Sequence, residues 1–119
     1  MVGMAELRRT GGAPVSAWKA LELRVAKALG GSRTGPAGKA VSDIVGTPWA
    51  VECKRSKQSF RVAWIEQAVA QGRRERKPWL LVVARHNDRN PICVMEFSEF
   101  LTLAREAGRI DDQTQEEAA

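Results

Sequence analysis

Trp18, Leu21, Val25 and Leu29 recur at spacings of three, four and four residues, so they line one side of a helix that Ser16 is placed to cap and Gly30-Gly31 to end. Glu22 falls at the edge of that stripe and not on the solvent side, an anomalous place for a carboxylate. A weaker stripe of Ala63, Ile65, Ala68 and Val69 predicts a second helix over 62–76, with Gln67 and Gln71 one turn apart. Between the two helices the period changes. Ser42-Asp43-Ile44-Val45 and the run from Trp49 to Lys54 read as strands joined by the tight turn Gly46-Thr47-Pro48. The unbroken apolar run from Trp79 to Ala84 reads as a strand buried on both faces. Ile92 to Phe97 reads as a further strand, and Ser98 is placed to cap a last helix through Phe100, Leu101 and Ala104 that Gly108 stops.

The resulting order, α-β-β-α-β-β-α, predicts an α/β fold with a central mixed β-sheet flanked by helices. Residues 30–41 hold four glycines and a proline and read as a flexible loop without the phosphate-loop spacing of glycines and lysine. With 119 residues and 44% hydrophobic content, one globular domain is expected over 15–108. A loose basic arm over 1–14 and an acidic, disordered tail over 109–119 are expected to flank it.

Charge narrows the partners. The net charge is +5, and removing Asp111, Asp112, Glu116 and Glu117 of the tail leaves +9 on the body. Such an excess suits a polyanion, because cations that neutralise phosphates release counterions and supply most non-specific affinity. Arg8 and Arg9 of the arm, Ser32, Arg33, Thr34 and Lys39 of the loop, Arg55 and Lys57 after the second strand, and Arg73 and Arg74 at the end of the second helix are the expected nucleic-acid contacts. Cys53 and Cys93 lack metal-ligand spacing and are expected to be reduced core residues. Most of the tryptophans, Trp18, Trp49, Trp64 and Trp79, are expected in core packing, and His86 in an exposed turn. No run approaches the length of a membrane span, nor do the first residues carry a signal-peptide core, so a cytoplasmic protein is expected.

The strand from Trp49 to Lys54 carries the chemistry. Side chains alternate along a strand, so Ala50, Glu52 and Lys54 share one face and Val51 and Cys53 the other. A tight hairpin brings Asp43 near Glu52. Two carboxylates and an amine among apolar neighbours are costly to bury without a counterion, so a cation is expected there.

A helix with Glu22, a glycine-rich loop, Asp43 on one strand, Glu52-x-Lys54 on the next and a helix with Gln67 resemble the PD-(D/E)xK nuclease superfamily. Within it the chain most resembles the Hjc-type Holliday junction resolvases of archaea and certain phages, over residues 16 to 97. It departs from the motif at Ser42, where the naming proline stands, and in its short hairpin. The resemblance implies a restriction-endonuclease-like core and a Mg2+ ion, with Mn2+ as substitute, held by Asp43, Glu52, the Cys53 carbonyl and, as a further contributor, Glu22. It implies that Lys54 orients the nucleophile or stabilises charge on phosphorus and that Gln67 supports the site. The implied activity is structure-selective cleavage of four-way DNA junctions in recombination and repair, by a homodimer in the cytoplasm, or in the host's if the chain is of phage origin. The helix surface at Phe100 and Leu101 or the strand 92–97 would supply the dimer contact. The rivals are another DNA nuclease of the superfamily (restriction-like, repair or transposition), a non-catalytic DNA-binding module of the same fold, and a basic structural protein.

Overall fold

The computed structural model describes residues 17–35, 41–57, 59–85 and 89–111. Arg8, Arg9, Ser16, Lys39 and His86, with the arm over 1–14 and the tail from 112 onward, lie outside the described residues. The elements are α1 (Ala17–Leu29), β1 (Ser32–Arg33), β2 (Ile44–Val45), β3 (Ala50–Ser56), α2 (Val62–Glu75), β4 (Trp79–Arg85), β5 (Ile92–Val94) and α3 (Phe97–Glu106). One sheet runs in the order β1-β2-β3-β4-β5, so spatial order follows chain order. The first two pairings and the last are antiparallel, and β3 and β4 are parallel. Parallel neighbours cannot be joined by a tight turn, and α2 makes the crossover.

Alternation along β3 and β4 divides the core. Ile44, Val51, Leu80, Val82 and Ala84 pack with Leu21, Val25 and Ala26 of α1. Leu81 and Val83 point the other way and pack with Ala68 of α2, flanked by Trp64, Ile65, Trp79 and Val94. Helices therefore cover both faces of a mixed sheet, and β4 is buried on both sides, as its unbroken apolar run predicts. α1 packs on β1, β2 and β3, and α2 on β3 and β4. α3 is tied to the start of β3 where Trp49 Nε1 donates to Glu99 at 2.9 Å.

Helix ends follow backbone rules. α1 stops where Gly30 takes φ +76°, with the Gly31 amide donating to the Ala26 carbonyl at 2.9 Å. Gly31 is required for a second reason: a Cβ there would lie 2.5 Å from the Val45 carbonyl oxygen. α2 ends in the same geometry, but Arg76 occupies the left-handed position at φ +56°, which costs a side-chain-bearing residue about 1–2 kcal/mol.

Several sequence expectations change. Ser32–Arg33 form β1 within the stretch read as a loop, making the order α-β-β-β-α-β-β-α. The strand expected over 42–45 is confined to Ile44–Val45, and that expected over 92–97 ends at Val94. Past Val94 the ladder to β4 stops, and Met95 packs against the α1 layer of the core. The chain turns instead into α3, with Glu96 and not Ser98 at the N-cap. Trp18 is 50% exposed and does not join the core, while Trp49, Trp64 and Trp79 pack against it. Both cysteines are free, but Cys93 is exposed and Cys53 half-buried.

Candidate functional site

The β2–β3 hairpin sets the site. Ile44 pairs with Val51, and the amide of Asp43, just before β2, donates to the Val51 carbonyl at 3.0 Å. Beyond that point the side chain replaces the ladder: Asp43 Oδ2 accepts the Cys53 amide at 2.8 Å. Thr34 fixes Asp43 from the other side, its amide and hydroxyl donating to the Asp43 carbonyl at 2.9 and 3.2 Å.

Glu52 lies on the opposite face of β3 from Val51, 4% exposed, and accepts from Gln67 Nε2 of α2 at 3.1 Å. Lys54 shares its face, and the ammonium charge favours the ionised forms of Asp43, Glu52 and Glu22. Glu22 lies on the buried side of α1, 8% exposed, where the edge of the apolar stripe predicts it. The Arg33 guanidinium clasps it, Nε donating to Glu22 Oε1 at 2.6 Å, and stands 5.2 Å from the Trp18 ring centroid. Arg33 Nη2 is buried and has no hydrogen-bond partner.

Burial governs the proton affinities. It pushes Glu52 up to about 7, helped by the neighbouring charge of Asp43 and opposed by Lys54. Asp43 is also raised by burial, against the Cys53 amide and Lys54. Glu22 rises for the same reason, although the Arg33 hydrogen bond pulls it back. Burial and then the charges of Asp43, Glu22 and Glu52 push the Cys53 thiol up, which makes it a poor nucleophile. The three raised carboxyls lie within one another's fields, an arrangement that a proton or a cation relieves.

Asp43 and Glu52 are hard oxygen donors, the kind Mg2+ prefers. Among the described residues no group of three or more His, Cys, Asp or Glu side chains stands ready to hold a metal ion. Glu22 is engaged by Arg33, so the fit rests on Asp43 and Glu52. Mg2+ is commonly held by one or two carboxylates, with water and phosphate completing its shell, and such a pair meets that requirement.

Two residues of this neighbourhood were not singled out for function from the sequence. Glu75 Oε2 accepts the Ser42 amide at 2.8 Å and Gln71 Nε2 at 2.7 Å. Burial raises the Glu75 carboxyl, but those hydrogen bonds outweigh it and hold the group below its usual range. Gln71, 3% exposed, also accepts from Arg74. A proline at position 42 would have no N–H to give, so the bond that ties α2 to the residue before Asp43 depends on a residue other than proline standing there. The four-residue spacing of Gln67, Gln71 and Glu75 was the available signal, since it puts all three on one helix face.

The expected DNA contacts divide. Ser32 and Lys57 are exposed, Arg73 and Arg74 are exposed at the end of α2, and Arg55 is half-buried on β3. Arg33 and Thr34 are committed within the site, to Glu22 and to Asp43. No helix among the described residues is long and apolar enough to cross a membrane. No family model, curated protein or solved structure matched the chain.

Proposed function

We propose that this chain is a Mg2+-dependent endodeoxyribonuclease with a restriction-endonuclease-like core that resolves four-way DNA junctions as a homodimer. The observation that carries the reading is the meeting of Asp43 and Glu52 at the end of the β2–β3 ladder, with Lys54 on the Glu52 face and Gln67 hydrogen-bonded to Glu52. Asp43 and Glu52 would hold the ion, with the Cys53 carbonyl as a third oxygen. A bound Mg2+ supplies Lewis-acid polarisation of a phosphate and lowers the pKa of a bound water.

The protein's own residues do the rest. The Cys53 amide and Thr34 fix the orientation of Asp43. Gln67 donates to Glu52 and helps to orient its carboxylate before substrate arrives. Lys54 offers a cation on the Glu52 face where charge grows on phosphorus. The exposed cations Lys57, Arg73 and Arg74 supply attraction for a phosphate backbone. Two-fold symmetric junctions call for two sites, which a symmetric dimer provides.

A second reading, a DNA-binding module that does not cut, is favoured by the clasp that keeps Glu22 away from the Asp43–Glu52 pair. The deciding experiment incubates the protein with a synthetic four-way junction and with linear duplex of the same sequence, with and without Mg2+. Paired, Mg2+-dependent nicks in the junction, lost in Asp43→Asn, are expected. Equal cutting of both DNAs points to another nuclease of the superfamily, and salt-sensitive binding without cutting points to the module.

A further inference from the structure

Resting on the nuclease reading for the role of the Asp43–Glu52 pair, we infer that Glu75 is a positioning residue for Asp43, and that α2, holding Glu52 through Gln67 and the approach to Asp43 through Glu75, sets how the two acids stand to one another.

Ser42 lies beyond the β2–β3 ladder. Ile44 pairs with Val51 and the Asp43 amide donates to the Val51 carbonyl, but the Ser42 amide donates to α2, reaching Glu75 Oε2 at 2.8 Å. Ser42 is fully buried, and a buried N–H needs an acceptor. Glu75 supplies it, and so anchors the main chain one residue before Asp43. Glu75 is anchored in turn. The same oxygen accepts from Gln71 Nε2 at 2.7 Å, and the buried Gln71 has its own oxygen engaged by Arg74. Both ends of the Gln71 amide are committed, which fixes its orientation. Hydrogen bonds hold the Glu75 carboxyl below its usual range, so it remains a charged acceptor while Glu52, pushed up by burial to about 7, takes up and releases its proton.

The two attachments belong to one helix. Gln67 and Glu75 are eight residues apart on one face of α2, about 12 Å along its axis. Gln67 meets the Glu52 carboxylate on β3, and Glu75 meets the main chain that leads into β2. A helix does not stretch, so two bonds to it constrain the two segments relative to each other from outside the hairpin that joins them. Mg2+ demands near-ideal ligand distances. Slack at Ser42 is therefore expected to show in cation affinity before it shows in the fold. The charge of Glu75 also acts through space, raising Glu52, and the experiment has to separate that effect from the bond.

Glu75→Ala removes the acceptor, Glu75→Asp keeps the charge but draws the carboxylate back, and Glu75→Gln keeps one carbonyl oxygen at the same reach without the charge. Mn2+ binding to the full chain is measured by counting unbound Mn2+ from its electron paramagnetic resonance signal, with folding checked by circular dichroism at the same temperature. Glu75→Ala and Glu75→Asp are expected to weaken Mn2+ by about tenfold, the lower end of what the outer partners of metal ligands contribute. Glu75→Gln is expected to restore most of that loss, because a single oxygen already accepts both donors. Affinity that follows charge instead, kept in Glu75→Asp and lost in Glu75→Gln, overturns the positioning role. So does unchanged Mn2+ binding, even with a lowered melting temperature, which would assign Glu75 to the fold alone. The Asp and Gln variants decide the matter if Glu75→Ala does not fold. A wild type that does not cut junctions while the expected Mn2+ order holds overturns the nuclease reading and leaves the positioning role standing. Mg2+-dependent cutting with Mn2+ affinity indifferent to Glu75 does the reverse, and a wild type that binds no Mn2+ overturns both.

Discussion

The two faces of the sheet are built to different ends. Under α1, Leu21, Val25 and Ala26 meet Ile44, Val51, Leu80, Val82 and Ala84, and Glu22 interrupts that layer only where Arg33 clasps it. Under α2, the buried apolar set shrinks to Ala68, Leu81 and Val83, and the helix offers Gln67 to Glu52 and Glu75 to Ser42, with Gln71 donating to Glu75. The same strand, β3, serves both: Val51 faces the first layer and Glu52 the second. The larger apolar cluster lies on one side of this strand, and Glu52 with its Gln67 partner on the other. Variants at adjacent residues should therefore behave oppositely.

The largest effect tests the apolar face. Ile44, fully buried between α1 and Val51, should cost about 2–5 kcal/mol when changed to alanine. Urea denaturation measures it, and a loss below about 1 kcal/mol would mean that the α1 layer can collapse around the gap.

The next effect has the opposite sign. The Glu52 carboxyl holds its proton up to about pH 7 in the folded chain, against an ordinary value of 4.5. Between those values the folded state binds more protons than the unfolded one, so stability falls as pH rises through the window, and the whole loss is present above pH 7. In EDTA at pH 8, Glu52→Gln should be more stable than wild type by about 3 kcal/mol, with the difference fading below about pH 4.5. Mg2+ should narrow the gap, because the ion stabilises only a chain with the carboxylate to bind it. Denaturation curves at pH 8 with and without Mg2+ decide this, and a gap that Mg2+ leaves untouched removes Glu52 from the ligand set.

The smallest effect lies at the edge of the α2 layer. Arg76 in its left-handed conformation should gain about 1 kcal/mol of stability as glycine. Thermal unfolding reads this, and a loss instead would assign the arginine side chain a contact worth more than the backbone strain.

Much of this division was legible in the chain. Alternation along β3 separated Val51 from Glu52, the three-and-four spacing of α1 put Glu22 at the apolar margin, and the unbroken run of β4 announced burial on both sides. What could not be read depends on neighbours distant in sequence. β5 stops at Val94, although the apolar and alternating pattern runs on to Phe97. Trp18 stands outside the core beside the guanidinium of Arg33, 15 residues further along the chain. Glu75 enters the neighbourhood through a backbone amide, a partner that no side-chain pattern displays.

The parallel pairing of β3 with β4 has a consequence in time. Ile44 meets Val51 across seven residues of chain, whereas Val51 meets Leu80 across 29. A loop about four times longer adds roughly 1.2 kcal/mol of closure entropy, and non-local pairing is the slow part of folding. The hairpin that brings Asp43 to Glu52 is thus expected to form before α2 delivers Gln67, so the two acids first meet in water, where their repulsion is weakest, and are enclosed only afterwards.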